Sequence, residues 1–280
     1  MRVCDLHTHS TYSDGTFTPT QIVDEAVGMG LSAVALTDHN TVDGLREFTA
    51  AAQGLPVEAV AGAEFSVDYH GIELHLLGLF IKEPYFDEIS RLMKYPDDEK
   101  EKSNRKLIAS LNRAGYSVEY DTIKNTTPNG RFNRVHVAKE LTRKGYTDSI
   151  DQAFDTLLSE ESGYYQKPKR LLFFNTISFL QSMGAVPVLA HPLLQLSAEE
   201  LEQLLPTAKE KGLVGLECYY SEYDQEQMAL SLSLAEKFGL QFSGGSDFHG
   251  KNKPHIQLGV GKGDLKIPYE CYQNLKKIAE

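Results

Sequence analysis

The chain has 280 residues, of which 41% are hydrophobic and 24% are charged, and it carries a formal net charge of −11 at pH 7. This composition is typical of a globular protein with a buried core and excludes a disordered or fibrous chain. It also argues against duplex nucleic acid as a partner, because duplex binding relies on a basic face, so any phosphorylated partner should be small or short.

The sequence has no apolar run that approaches the ~18 uncharged residues needed to span a bilayer, and residues 1–5 lack the apolar stretch of a signal peptide. We therefore expect a cytoplasmic protein that has no membrane partner. The three cysteines have no CxxC spacing, and their odd number fits neither a disulfide framework nor a cysteine zinc site. We interpret them as reduced thiols.

The first third of the chain alternates short apolar segments with amphipathic ones. The spacing predicts strands at residues 2–6, 32–37, 57–65 and 72–80, and helices at residues 18–29 and 42–53. Repeated strand and helix units of this kind indicate a mostly parallel sheet or barrel.

The middle of the chain is polar and has a helical pattern, with predicted helices near residues 104–114, 134–143 and 150–158. Afterwards the alternation returns, with strands at residues 186–190, 214–218 and 241–244 and helices at residues 175–183, 198–211 and 225–238. We predict a barrel domain formed by residues 1–94 and 167–280, and a helical insertion domain over the barrel mouth formed by residues 95–166. Seven apolar strands are one fewer than the common eight-stranded barrel has, which leaves the closure of the barrel open.

Histidines and carboxylates lie at the ends of the predicted strands. His7 and His9 follow the first strand, and alternation in an extended chain directs both imidazoles to the same side. Asp247 and His249 repeat this arrangement after the last strand. The other residues at or near strand ends are His39, Glu64, His75 and His191. Because the C-terminal ends of parallel strands form one rim, we expect these side chains to meet there.

Each of these histidines could by itself be a hydrogen-bonded core imidazole. Burying six imidazoles and several carboxylates together without a metal would be costly, so the set indicates a metal site. Imidazole and carboxylate ligands without thiolates favour manganese, iron or zinc. Several such cations suit the hydrolysis of a phosphate ester, since a bridging water loses a proton near neutral pH while other metals bind the phosphoryl oxygens.

Six motifs, taken together and in this order, resemble the polymerase and histidinol phosphatase (PHP) superfamily: DLHTHSTYSDGT, TDHNT, GAEFS, ELHLLGLF, AHP and GSDFHG. They are spread over nearly the whole chain. The resemblance implies an α/β fold, a distorted seven-stranded (β/α)7 barrel, with a helical insertion over the metal site. It also implies that the protein holds three divalent metal ions and is a phosphoric ester hydrolase.

The resemblance further implies which residues bind the metals. Glu64 would bridge two ions, and Glu64, Asp247 and His191 would hold the metal-bound hydroxide that attacks phosphorus. Asp38 precedes an implied ligand and would only orient it through a hydrogen bond. The nine implied ligands form three sets: His7, His9, Glu64 and Asp247; Glu64, His75 and His191; and Asp14, His39 and His249.

A segment of the insertion, residues 131–138 (RFNRVHVA), is similar to an Arg-Pro-His-Ile-Ala element of the family, with valine in place of the proline. Arg134 and His136 are therefore the candidates for binding a substrate phosphate, because a guanidinium fork matches phosphate oxygens. The alternative is a solvated helix face. Lys167 and Lys169 could add positive charge at the site entrance, or they could belong to an ordinary exposed basic run.

Asp14 stands where many histidinol-phosphatase-like members have a histidine, which favours the branch similar to nucleoside 3′,5′-bisphosphate phosphatases and short-RNA 5′-to-3′ exonucleases. We expect hydrolysis of a phosphate monoester of a small nucleotide, such as a nucleoside 3′,5′-bisphosphate, extending to the 5′ ends of short single-stranded oligoribonucleotides. Two alternatives stay open. One is a phosphatase of histidinol phosphate or a sugar phosphate, and the other is a non-catalytic metal-binding regulatory module.

Overall fold

The computed structural model describes residues 2–126 and 133–280. Arg131 and Phe132, which belong to the predicted phosphate-binding segment, lie outside the described residues. The chain divides into two compact units. The larger unit consists of Met1–Met93 and Leu171–Glu280, and the smaller unit consists of Lys94–Arg170.

Nine strands occur within the described residues, and they form two sheets of the larger unit. The strands are β1 (Cys4–Asp5), β2 (Ala33–Leu36), β3 (Glu58–Ala61), β4 (Ala63–Tyr69), β5 (Ile72–Leu79), β6 (Leu171–Leu172), β7 (Val186–Ala190), β8 (Gly215–Tyr220) and β9 (Gln241–Gly245). One sheet has the order β1-β2-β3, and the other has the order β6-β4-β5-β7-β8-β9. All neighbours pair in parallel except β5, which is antiparallel to both β4 and β7.

The α/β class predicted from the sequence is confirmed, but the seven-stranded barrel is not. The nine described strands lie in two sheets that do not close. Individual contacts rather than continuous ladders connect the sheets, such as the bridges between Thr8 and Phe248 and between His39 and Glu64. These bridges occur where strands of the two sheets end, and they bring the predicted metal ligands together.

Two local features explain why the strand prediction differs from the structure. The segment predicted as one strand, residues 57–65, is split at Gly62 into β3 and β4, which belong to different sheets. A Cβ atom at Gly62 would lie 2.9 Å from the carbonyl oxygen of Gly78, so only glycine fits there. The antiparallel hairpin between β4 and β5 turns at His70 and Gly71, whose φ angles of 51° and 86° are those of a tight two-residue turn.

Ten α-helices occur within the described residues: α1 (Pro19–Gly28), α2 (Leu45–Ala51), α3 (Phe86–Arg113), α4 (Tyr120–Thr126), α5 (Arg134–Arg143), α6 (Ile150–Asp155), α7 (Phe173–Ser182), α8 (Ala198–Glu210), α9 (Gln225–Phe238) and α10 (Tyr269–Ala279). Helix α1 begins where the sequence predicts, because Thr18 and Gln21 form a reciprocal capping box and Pro19 occupies the first turn. Among the described residues, no helix combines the length and the apolar character needed to cross a bilayer.

Each unit has its own apolar core. In the larger unit, Phe48, Phe65 and Phe173 are among the largest fully buried side chains. In the smaller unit, Leu107, Leu111, Val137, Leu141 and Leu158 belong to a separate buried cluster. The helical pattern of residues 95–126 and 133–166 therefore reflects amphipathic helices that pack on one another.

Candidate metal centre

The segment after β1 carries two buried imidazoles, and hydrogen bonds fix the backbone around them. His7, Thr8 and His9 are fully buried. The Thr8 hydroxyl donates to the Ala35 carbonyl over 2.6 Å and fixes the backbone between the two histidines. The buried Asp5 carboxylate accepts hydrogen bonds from the backbone amides of His7 and Ser246, at 3.3 and 2.9 Å. Asp5 thus connects the residues around His7 to the segment that carries Asp247.

The carboxylate of Glu64 lies at the centre of the cluster. Glu64 is the second residue of β4 and is fully buried. Five imidazole nitrogens lie within 3.3 Å of its oxygens: His75 Nδ1 at 2.7 Å and His191 Nε2 at 3.1 Å from Oε1, and His39 Nδ1 at 2.8 Å, His7 Nε2 at 3.3 Å and His9 Nε2 at 3.3 Å from Oε2. Histidines from four separate segments of the chain therefore converge on one carboxylate.

Asp247 is a second carboxylate around which histidines of the cluster gather. Its Oδ1 atom lies 3.1 Å from His9 Nε2, 3.4 Å from His249 Nδ1 and 3.6 Å from His7 Nε2. Asp247 adopts a φ angle of 56°, which is a strained conformation for a residue other than glycine. Strain of this kind persists only where surrounding contacts hold the residue, and it is frequent at functional sites.

Asp14 lies at the exposed edge of the cluster, and its side chain is 58% exposed. Its Oδ1 atom is 3.1 Å from His249 Nε2 and 3.8 Å from His39 Nε2.

Asp38 does not approach these imidazoles through a hydrogen bond of its own. Instead it accepts from the hydroxyls of Ser10 and Ser13, each over 2.6 Å, and so it fixes the loop that leads to Asp14.

The donor atoms of this cluster fit divalent cations. Five buried atoms have no hydrogen-bond partner although carboxylate oxygens and imidazole nitrogens surround them: His7 Nε2, His9 Nε2, His39 Nδ1, His75 Nδ1 and Glu64 Oε2. Buried polar atoms nearly always have partners, so five unpartnered donor atoms in one place fit a site that binds cations. Nitrogen and carboxylate oxygen donors without thiolate are those that manganese, iron and zinc accept.

Within the described residues, four groups of side chains have donor atoms close enough together to hold an ion. They are His9, Asp14, His39 and His249; His7, His9 and Glu64; His39, Glu64 and His75; and His7, His191 and Glu217. The set of Glu64, His75 and His191 expected from the sequence is not one of these groups, although both histidines contact Glu64 Oε1. Asp247, which was expected with His7, His9 and Glu64, belongs to none of the four groups. All nine predicted ligands nevertheless lie in one connected cluster.

The carboxylates and imidazoles of the cluster shift each other's pKa values. Burial opposes ionisation of Glu64, but the nearby His39, His75 and His7 hold the pKa of its carboxyl well below the ordinary value. Burial likewise opposes protonation of His9, but Asp247 and Glu64 raise its pKa to about 10. The carboxylates therefore attract positive charge strongly at the same nitrogen atoms that a metal would occupy.

Three residues that the sequence analysis did not single out contact side chains or backbone of the cluster. The buried Glu217 contacts His7 Nδ1 at 3.0 Å and the backbone amide of His191 at 2.8 Å. The Tyr220 hydroxyl donates to Asp247 Oδ2 over 2.9 Å, and Lys253 Nζ lies 2.6 Å from the same oxygen. A glutamate within the apolar strand GLECYY was the one available signal for Glu217.

A groove of about 340 Å³ opens beside the histidines that face Glu64 Oε1. It is lined by His75 and His191 together with Glu73, Pro192 and Gln195. Its volume is within the range of small-molecule sites. The larger unit therefore provides both the cluster and a concave space next to it.

The two predicted phosphate-binding residues, Arg134 and His136, lie in the smaller unit. Arg134 Nη1 donates to the Leu158 carbonyl over 3.0 Å, and its guanidinium lies 4.0 Å from the centre of the Tyr165 ring. His136 exchanges hydrogen bonds with Asn133 at the start of α5. Both side chains are half-buried. Each therefore has structural contacts within its own unit.

The two predicted lysines of the smaller unit differ in their contacts. Lys167 Nζ lies 2.7 Å from Glu160 Oε1, and both side chains are exposed. Lys169 is exposed. An exposed pair of this kind contributes little to stability.

Comparison with known proteins agrees with the geometry. Residues 5–165 match the model of the PHP domain family. A 5′-3′ exoribonuclease of Haemophilus influenzae is 30% identical over 246 residues, which cover 88% of this chain and 89% of that protein. A 3′,5′-nucleoside bisphosphate phosphatase of Chromobacterium violaceum is 28% identical over 247 residues, covering 88% and 86%.

Among solved structures, an amidohydrolase of Chromobacterium violaceum with bound sulfate and no metal superimposes with a TM-score of 0.80 and is 26% identical. The superposition covers 98% of this chain and 96% of that one. The matched family model extends over more than half of the chain, and the ligand cluster lies on the motifs that it covers and on the later AHP and GSDFHG segments. The chain therefore belongs to the PHP domain family.

Proposed function

We propose that the protein is a metal-dependent phosphoesterase that hydrolyses a phosphate monoester of a small nucleotide, such as a nucleoside 3′,5′-bisphosphate. The single observation that carries the proposal is the arrangement around Glu64, where five imidazole nitrogens approach one buried carboxylate. We further propose that the nine clustered side chains bind three divalent ions, with manganese, iron and zinc as the candidates.

Divalent metals at such a site supply a lowered water pKa and positive charge that offsets the charge developing on phosphoryl oxygens. The protein supplies the orientation of the donor atoms. Tyr220 and Lys253 contact Oδ2 of Asp247, which leaves Oδ1 facing His9. Lys253 is 31% exposed and adds a positive charge at the same edge, where a phosphate could approach.

The names of the relatives support a nucleotide as the substrate. One relative is a 3′,5′-nucleoside bisphosphate phosphatase, and another is a 5′-3′ exoribonuclease. The groove beside His75 and His191 has a volume suited to a small ligand. We propose that Arg134 and His136 bind a substrate phosphate, because a guanidinium offers paired donors to phosphate oxygens.

A second candidate substrate is the 5′ end of a short single-stranded RNA. The exoribonuclease relative favours it. The net charge of −11 limits this candidate to short oligonucleotides, because a long polyphosphate chain would be repelled.

A substrate panel on manganese-loaded protein tests the proposal. It compares a nucleoside 3′,5′-bisphosphate, 5′-phosphorylated di- and trinucleotides, and histidinol phosphate, with phosphate and nucleotide release as the readouts. Asp247→Asn protein prepared in parallel controls for contaminating phosphatases. We expect hydrolysis of the bisphosphate. Release from histidinol phosphate alone would replace the proposed substrate, and no hydrolysis of any ester would contradict the enzymatic function.

A further inference from the structure

The side chain of Glu217 lies inside the protein, next to the metal centre. It is the third residue of β8 and is fully buried. Its neighbours in the strand, Leu216 and Cys218, are also fully buried, and Leu216 packs in the apolar core. Alternation along the strand directs Glu217 to the opposite face from these two residues, toward His7 and His191. A buried carboxylate is costly unless it is hydrogen-bonded, so its partners should matter.

Both oxygens of this carboxylate have partners that belong to predicted ligands. Oε1 lies 3.0 Å from His7 Nδ1, and Oε2 accepts from the backbone amide of His191 over 2.8 Å. A carboxylate can only accept, so the hydrogen of a neutral His7 imidazole must be on Nδ1. The other nitrogen, Nε2, then carries a free electron pair. It lies 3.3 Å from Glu64 Oε2 and has no hydrogen-bond partner.

The contact with His191 supports a backbone conformation that is rare. His191 has φ 27° and ψ 48°, a region in which residues other than glycine are strained. Its Nε2 atom nevertheless lies 3.1 Å from Glu64 Oε1. The rings of His7 and His191 are stacked, with centroids 5.5 Å apart and planes inclined by 17°. One carboxylate therefore fixes both histidines that flank Glu64.

We propose that Glu217 is a positioning residue of the metal centre: it fixes His7 in the Nδ1–H tautomer, so that Nε2 binds a metal, and it holds His191 in its strained conformation. This inference rests on the proposed metal-dependent function. A carboxylate that accepts from the outer nitrogen of a metal-binding histidine raises the basicity of the ligand and fixes its orientation.

Glu217 could instead be a metal ligand, since it forms a group with His7 and His191 whose donor atoms lie close together. The hydrogen bonds argue against this alternative. His7 Nδ1 and both oxygens of Glu217 have partners, whereas the unpartnered atom of His7 is Nε2, on the side of Glu64. The atom that lacks a partner therefore marks the metal side of the ring.

The variant Glu217→Gln separates these roles. The amide oxygen would accept from the His191 amide, and the amide NH₂ would then face His7 Nδ1. That arrangement requires the imidazole hydrogen to move to Nε2, where it blocks the metal. We expect the variant to fold and to bind manganese about 10–100-fold more weakly. The matched control is Glu236→Gln, an exposed glutamate of α9.

The readouts are manganese affinity by competition with a chelating dye, and the histidine tautomers of zinc-loaded wild-type protein by ¹⁵N NMR. The wild type should show His7 with a proton on Nδ1 and zinc on Nε2. Zinc on Nδ1 of His7, or unchanged manganese affinity in folded Glu217→Gln, would overturn the inference. The wild-type spectrum decides even if the variant does not fold. Wild-type protein that shows the expected tautomer but hydrolyses no phosphate ester would contradict the proposed function alone.

Discussion

The Tyr220 hydroxyl donates a hydrogen bond of 2.9 Å to Asp247 Oδ2, on the side of the carboxylate that faces away from the histidines. Tyr220 is buried, so this donor cannot be replaced easily by water. Its effect is to turn the other oxygen of Asp247 toward His9. A tyrosine at the end of β8 thus controls the orientation of a proposed metal ligand.

The substitution Tyr220→Phe removes this donor and leaves a buried carboxylate with one partner fewer. A hydrogen bond to a charged group contributes about 1.5–3 kcal/mol, so we expect a comparable loss in the free energy of unfolding. We also expect weaker manganese binding. Urea denaturation and metal titration measure the two effects. Tyr95→Phe is the control, because that side chain is 46% exposed. Unchanged stability and affinity in Tyr220→Phe would show that the hydrogen bond has no such role.

Asp14 offers a test of how many ions the cluster holds. It contacts His249 and His39 at the exposed edge and does not contact Glu64. We therefore expect Asp14→Ala to lose one bound ion per chain while the others remain, as measured by elemental analysis of protein dialysed against manganese. Asp24→Ala, at an exposed position of α1, should keep the wild-type metal content. Loss of all ions from Asp14→Ala would mean that the sites are not separable.

Metal binding should release protons. Because the pKa of His9 is raised to about 10, the imidazole is protonated at pH 7 when no metal is bound, and it must lose that proton to become a ligand. We expect proton release in calorimetric titrations with manganese at pH 7, seen as a dependence of the measured heat on the buffer. Affinity should increase as the pH rises toward 10. Heat that is independent of the buffer would contradict protonated ligands.

The same pKa shift has a consequence for stability. A raised pKa in the folded state stabilises the fold fully below the unfolded value of about 6.5, and this contribution disappears as the pH rises through about 10. Metal-free protein should therefore melt at a lower temperature at pH 10 than at pH 7. Metal-loaded protein should not show this part of the decrease, because its His9 is already deprotonated. Equal decreases in both forms would contradict the assignment.

The proposed phosphate contact of Arg134 predicts a defect in substrate binding rather than in metal binding. We expect Arg134→Ala to raise KM for a nucleoside 3′,5′-bisphosphate about tenfold or more, which corresponds to the loss of a charged hydrogen bond. Its metal content should not change. Arg143→Ala is the control, since Arg143 is an exposed residue of the same helix and pairs with Glu140.

The Arg134 substitution also removes a structural contact. Arg134 contacts Leu158 and Tyr165, so the thermal stability of the variant must be measured alongside the kinetics. An unchanged KM in a folded variant would remove Arg134 from the proposed site.

The sequence predicted where the candidate metal ligands lie better than it predicted the sheet. His7, His9, Asp247 and His249 follow apolar strands, and this local pattern was sufficient to place them at strand ends. The reversal of β5 depends on a turn at His70 and Gly71, whose His-Gly sequence is not among the strongest hairpin signals. The antiparallel pairing therefore could not be anticipated from strand spacing.

The hydrogen-bond partners of the candidate ligands could not be predicted either, because they depend on contacts between distant segments. Glu217 and His7 are 210 residues apart, and no spacing rule connects them. The split of one predicted strand at Gly62 has a similar cause, since it depends on the close approach of the Gly78 carbonyl from β5. Local patterns predict elements and candidate ligands, whereas packing between elements decides the sheet order and the hydrogen bonds around the site.

The most direct test of the central claim is anomalous diffraction from crystals of manganese-loaded protein, collected at the manganese absorption edge. We predict three anomalous peaks. Two of them should lie on either side of Glu64, one of these beside Asp247 and His9, and the third should lie between Asp14 and His249. Crystals of well-folded protein that show no peak within bonding distance of Glu64 would contradict the account.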